Sequence, residues 1–239
     1  MHRYDDVNDS QRRSLLQVLG AGLLASNCPA GMASLFGDTP RQLAQGRSIY
    51  RMNGRVLVNG QPANMTTIIK PSDLVETGEH SEIVFVVNKD AYILRAGSKL
   101  QLQPVSQPGI ADTLKLLAGK LLTVFAHGPR NVQANNMILG VRGTGVYVET
   151  DPDETYLCTC YGLVDLAAKN DKQSHEQIRS EHHDAPRYIL SNAAAGNAIR
   201  KAPFKNHTDM ELSLIEALVG RTPPFVFPRD AYSSPRRGY

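Results

Sequence analysis

From residue 46 to about residue 150 the chain is written in short runs in which apolar and polar residues alternate, each broken by Gly, Pro or Asn. Strand side chains alternate between two faces, so this pattern gives every run one apolar face, and the breaks come too often for helices. The expected fold class is all-β, a twisted antiparallel sheet or a sandwich- or solenoid-like module. Residues 54–60 read as a strand that ends on Asn59-Gly60, a pair whose tolerance of positive φ favours a tight hairpin. Residues 81–88 and 91–95 read as two further strands with Lys89-Asp90 as their turn, and residues 100–103 alternate once more. Residues 114–125 admit two readings. Leu114, Leu117, Leu121 and Leu122 fall at helical spacing, whereas Gly119 argues for a break, and strand is expected after Gly119.

The amino terminus carries a different signal. Arg12-Arg13 precede an apolar run, residues 15–24, followed by the small residues Ala30, Gly31 and Ala33. This resembles a twin-arginine export signal, residues 1–33, cleaved near Ala33. The apolar run is shorter than the ~20 residues that cross a bilayer, so no transmembrane helix is expected after cleavage and the location is periplasmic or secreted. The resemblance implies export in the folded state, often with a cofactor already loaded, which directs the search towards a metal or cofactor site. A net charge of +3, the absence of Trp and the lack of basic runs interleaved with aromatics argue against a nucleic-acid partner. Of three cysteines, Cys158 and Cys160 lie beyond the signal, too few for a disulfide framework.

The order of residues 54–60, Thr77-Gly78, the strand pair 83–95, Gly119-Lys120 and above all Val141-Arg142-Gly143-Thr144-Gly145-Val146 resembles the FecR domain. That resemblance covers residues 46–190. It implies a β-domain like the periplasmic part of iron-citrate uptake regulators and of many exported β-proteins. No cytoplasmic helical domain for a sigma factor is read ahead of the export signal, so the expectation is a β-module that binds an unidentified envelope protein or small ligand. Arg142-Gly143-Thr144-Gly145 admits an anion-binding reading, since glycine turns expose backbone N–H groups. No strand-to-helix context follows it, and a bulge or tight turn is the expected role.

Chemistry is expected in the next hairpin. Residues 155–166 read as a strand, 169–172 as its turn and 175–184 as the returning strand. Cys158 and Cys160 then share a face. Folding about the midpoint of residues 170 and 171 opposes Cys158 to His183 and Cys160 to Glu181. A two-residue slip opposes Cys160 to His183, and only odd slips favour His182, which alternation otherwise sends to the other face. Two thiols and an imidazole with opposed Cβ atoms roughly 5 Å apart suit a Zn or Cu site. The fourth ligand is His207, Asp184, Glu181 or water. The candidate metal ligands are Cys158, Cys160, His183 and His207. Plain core packing of the two thiols and a strained Cys158–Cys160 disulfide stay open beside this reading. Cys160, His183 and Asp184 have the residue types of a nucleophile site, but no oxyanion loop accompanies them and no enzyme is expected.

Residues 191–222 read as a linker and a helix. Thr208-Asp209-Met210-Glu211 forms a capping box, Met210, Leu214, Ile215, Leu218 and Val219 follow at helical spacing, and Gly220 ends the helix. This helix is expected to cap the β-module and to carry His207 to the cysteines if it folds back. Residues 223–239 read as a flexible tail. The expected function is a non-enzymatic ligand- or metal-binding protein of the cell envelope. The alternative is a protein or glycan interaction and regulatory module in which the cysteines are core.

Overall fold

The computed structural model describes residues 41–104 and 112–225, all within the compact unit Pro40–Tyr239. The expected export signal, 1–33, lies outside the described residues. Fifteen strands follow in chain order: β1 (Ile49–Asn53), β2 (Val56–Val58), β3 (Gln61–Pro62), β4 (Leu74–Thr77), β5 (Glu82–Val87), β6 (Asp90–Leu94), β7 (Lys99–Gln103), β8 (Asp112–Val124), β9 (Pro129–Gln133), β10 (Met137–Arg142), β11 (Gly145–Thr150), β12 (Glu154–Ala168), β13 (His175–Ser180), β14 (Arg187–Leu190) and β15 (Ile199–Lys201). The one helix among the described residues, α1, is Asp209–Leu218. The fold is all-β with a carboxy-terminal capping helix. No helix among the described residues is long and apolar enough to cross a membrane.

The strands form two sheets that share two long members. One sheet runs β1-β5-β6-β8-β11-β12-β14-β15, and the other runs β3-β2-β4-β7-β8-β9-β10-β12-β13. Only the β8–β9 pair is parallel. Strand β8 pairs with β7 as far as Ala118 and with β11 from Gly119 onward, while β12 pairs with β11 as far as Tyr161 and with β13 from Gly162. Both changes of sheet fall on a glycine in the left-handed region, with φ of +84° at Gly119 and +93° at Gly162. A Cβ at Gly119 would lie 2.6 Å from the Cα of Ser98, and one at Gly162 would lie 2.9 Å from the Cγ2 of Thr144. Strands that turn the corner between two sheets need such bends.

Two apolar layers result. Residues from both sheets, among them Ile83, Phe85 and Leu121 of the first and Val75, Leu100 and Leu139 of the second, fill the core between them. The alternate residues of the first sheet, Val84, Ile93, Leu122, Tyr147, Tyr156, Cys158 and Cys160, point the other way and are covered by Leu212, Ile215 and Leu218 of α1. Buried on both faces, β5, β6, β11 and the first half of β12 read as nearly continuous apolar runs.

Several expectations are corrected. The β5–β6 hairpin turns on Asn88-Lys89, not Lys89-Asp90, with Val87 opposite Asp90. Asn88 takes φ of +56°, which Asn tolerates better than Lys, and Asp90 is buried as acceptor for the Ala126 N–H and the Arg130 Nε. Strand β8 is extended throughout; Gly119 bends it and does not begin it. The β-region continues past residue 190, because β15 pairs with β14. The capping box forms as read, with Thr208 Oγ1 accepting from the Glu211 N–H and the Glu211 carboxylate accepting from the Thr208 N–H. Met210 is 58% exposed, however, and Leu212 takes its place on the buried face. In the region read as a tail, Pro223 is buried and Phe225 packs on Tyr161, His182 and His183; residues 226–239 lie outside the described residues. The Asn59-Gly60 hairpin and the turn at Gly143, which carries the chain from one sheet to the other, fold as read.

Candidate metal centre

Strand β12 presents Cys158 and Cys160 on the face that α1 covers, both fully buried. His207 stands just before the Thr208 N-cap, so the docking of α1 delivers it to the thiols. Its Nε2 lies 3.4 Å from Cys160 Sγ. His183 arrives by a route that strand alternation does not supply. The β12–β13 ladder pairs Gly162 with Ser180 and Leu163 with Arg179, one residue away from the register read in the sequence. Continued, that register would oppose Cys160 to His182. Pairing stops at Ser180, and His183 adopts φ of +54°, donating its N–H to the Cys160 carbonyl at 3.0 Å. The left-handed turn swings its ring over the cysteines, with Nδ1 3.5 Å from Cys158 Sγ.

The ligand atoms of Cys158, Cys160, His183 and His207 all lie within 4.8 Å of one another, a cluster able to hold a metal ion. A tetrahedral ion with Zn–S of about 2.3 Å and Zn–N of about 2.0 Å sets S and N donors about 3.5 Å apart and two N donors about 3.3 Å apart. The cluster has S···N separations of 3.5 and 3.4 Å and a His207 Nε2···His183 Nδ1 separation of 3.0 Å. Asp184 and Glu181, the other fourth-ligand candidates, are outside it: Asp184 instead accepts from the Glu181 N–H at the exposed turn.

The outward nitrogens of both rings are engaged. His207 Nδ1 donates to the Lys205 carbonyl at 2.8 Å, and His183 Nε2 donates to Asp209 Oδ1 at 2.9 Å. A neutral imidazole carries one N–H, so these bonds turn two lone pairs towards each other across 3.0 Å. Such an arrangement needs a cation between the rings, either a proton or a metal. Ligand imidazoles are held by outer hydrogen bonds of this kind.

Electrostatics follow from the crowding. Cys158 is lowered to about 4, first because the Cys160 thiol hydrogen-bonds to its charged form; burial opposes this, and His183 and His207 add to it. Cys160 is pushed well up by burial and by the neighbouring Cys158 charge. Burial alone would lower His183, but the Cys158 and Asp209 contacts outweigh it and raise the imidazolium. Tyr147 stacks on His207 with centroids 4.5 Å apart, and Phe204 sits against both rings at 4.8 and 4.6 Å.

Sequence reasoning missed three participants. Asp209 reads as an ordinary first-turn acid of a helix, Phe204 as a linker residue and Phe225 as tail. His182, expected on the opposite face, bonds Asp209 Oδ1 at 2.8 Å and packs on Phe225, because the strand has ended before it.

No family model matches the chain, and no curated protein matches it. Among solved structures, two crystal structures of a protein described as an anti-sigma factor, from Parabacteroides distasonis ATCC 8503, align at 12% identity with TM-scores of 0.45 and 0.44. Each alignment covers 54% of this chain and 58% of that one, a little over half of either. A likeness this slight assigns neither family nor function.

Proposed function

We propose that the chain is an exported, non-enzymatic β-module of the bacterial envelope that holds one thiophilic ion, zinc or copper, between Cys158, Cys160, His183 and His207. The observation that carries this reading is the convergence of two buried sulfurs and two ring nitrogens, all within 4.8 Å of one another, with both outer ring nitrogens already bonded away. Two thiolates balance the charge of Zn²⁺, so the ion would sit in the buried site without net charge. Four protein ligands leave no open position, which suits a binding role and not catalysis. Export, the envelope location and a FecR-type relation of residues 46–190 enter through the sequence alone.

The test is titration of the reduced protein with Zn²⁺ and with Co²⁺, alongside Cys160→Ser and His183→Ala. One tight equivalent in the wild type, a Co²⁺–thiolate absorption band, and at least tenfold weaker binding in both variants support the reading. Absence of metal uptake by the wild type overturns it and leaves the thiols as packed core of an interaction module.

A further inference from the structure

His183 faces two ways. Its Nδ1 belongs to the thiolate cluster, while its Nε2 meets a second convergence: His182 Nε2 and His183 Nε2 lie 2.8 and 2.9 Å from the same carboxylate oxygen, Asp209 Oδ1. These three atoms form a second group able to hold an ion. Two imidazoles and one carboxylate are the donor set that takes a divalent ion while leaving positions open. For N and O donors at about 2.0–2.1 Å from an ion, neighbouring ligands at right angles stand about 2.9 Å apart. The two N···O separations match that edge.

The surroundings of the second group differ from those of the first. His182 is 43% exposed, and it lines a cavity of about 720 Å³ together with Tyr161, Glu181, Arg221 and Phe225. Solvent therefore reaches the second group through His182 and the partly exposed Asp209, whereas both thiols of the first are fully buried. The placement is local in sequence on both sides: His182 and His183 are adjacent in the turn after β13, and Asp209 opens α1 directly after the Thr208 N-cap. The docking of α1 that brings His207 to the sulfurs also brings Asp209 to the two outer nitrogens.

We propose that His183 bridges two metal ions as an imidazolate, the buried ion on its Nδ1 and a second, solvent-accessible divalent ion on its Nε2 with His182 and Asp209. The proposal rests on the buried site proposed above. Binding of the second ion displaces the Nε2 proton to solvent; no electron moves, and water completes the outer coordination. Bound dications are the largest local charges and stabilise deprotonated ligands, so the first ion eases loss of the Nε2 proton that the second replaces.

The experiment is equilibrium dialysis of the reduced full chain against excess Zn²⁺, with zinc per chain read by elemental analysis, on wild type, His182→Ala and Asp209→Asn. Circular dichroism confirms folding. The expected counts are two, one and one. In the two-zinc form, ¹⁵N spectra should place both ring nitrogens of His183 in the metal-bound range, and in Asp209→Asn only one. One zinc in all three proteins overturns the second site and leaves the buried one standing, whereas no zinc in wild type removes both. Two zincs in all three proteins place the second ion elsewhere and also overturn the proposal, as does a wild-type His183 with a single shifted nitrogen.

Discussion

The backbone N–H of His183 donates to the carbonyl of Cys160 at 3.0 Å, beyond the last paired residue of β13. That bond ties the left-handed turn to the strand carrying the thiols, so the imidazole position depends on the backbone of residues 181–183 and not on sheet register.

Saturating Zn²⁺ stabilises the native chain, since an ion that binds only the folded state contributes about 2.7 kcal/mol at one hundred times its Kd. The thermal midpoint should rise with Zn²⁺ and return when a chelator is added. In Cys158→Ser and His207→Ala the rise should shrink or vanish. An equal rise in all three proteins places the ion at some other site.

The docking of α1 is testable by contrast. Leu212 is fully buried against the first sheet, so Leu212→Ala should cost about 2–5 kcal/mol in urea unfolding. Thr208→Ala should cost about 1 kcal/mol through loss of the capping box. Met210→Ala, at an exposed position, should change stability by less than about 0.5 kcal/mol.

Gly119 and Gly97 separate the cost of crowding from the cost of conformation. Both have positive φ, but a Cβ at Gly97 meets nothing within 4 Å, whereas at Gly119 it meets the Ser98 backbone. Gly97→Ala should cost about 1–2 kcal/mol, the left-handed penalty alone. Gly119→Ala should cost clearly more, by chemical denaturation, because the sheet corner must open.

Acid sensitivity should centre partly on Glu149. Burial would raise its carboxyl, but hydrogen bonds from Lys205, Tyr147 and Asn206 hold it below its ordinary value. The unfolded chain then binds the proton more readily, so this contribution is complete above the ordinary value of 4.5 and is lost as pH falls through the native one. Glu149→Gln should be less stable at neutral pH by roughly 1.5–3 kcal/mol, the range for a hydrogen bond to a charged group. Its stability should also fall less on acidification, measured by urea unfolding from about pH 7 to about pH 3.

Much of the fold was legible because its signals are local. Asn59-Gly60 encodes a two-residue turn, Thr208 and Glu211 encode a helix start, and apolar runs encode strands, each through preferences that act within a few residues. The bend of β8 was not legible in that way. Leu114 and Leu117 resemble a helix face because alternation is interrupted where the strand changes sheets, and only the partners β7 and β11 settle its conformation.

For the candidate site, the sequence by itself determined that Cys158 and Cys160 share one face of a strand and that His207 stands at a helix start. Period-two geometry and capping chemistry require no distant partner for either. The tertiary structure alone decided that His183, not His182, turns its Nδ1 to the thiols, and that Asp209 gathers both outer nitrogens. The reason is physical: where β13 stops pairing and where α1 docks depend on long-range burial against the first sheet, and a one-residue difference in where pairing ends changes which ring faces the sulfurs.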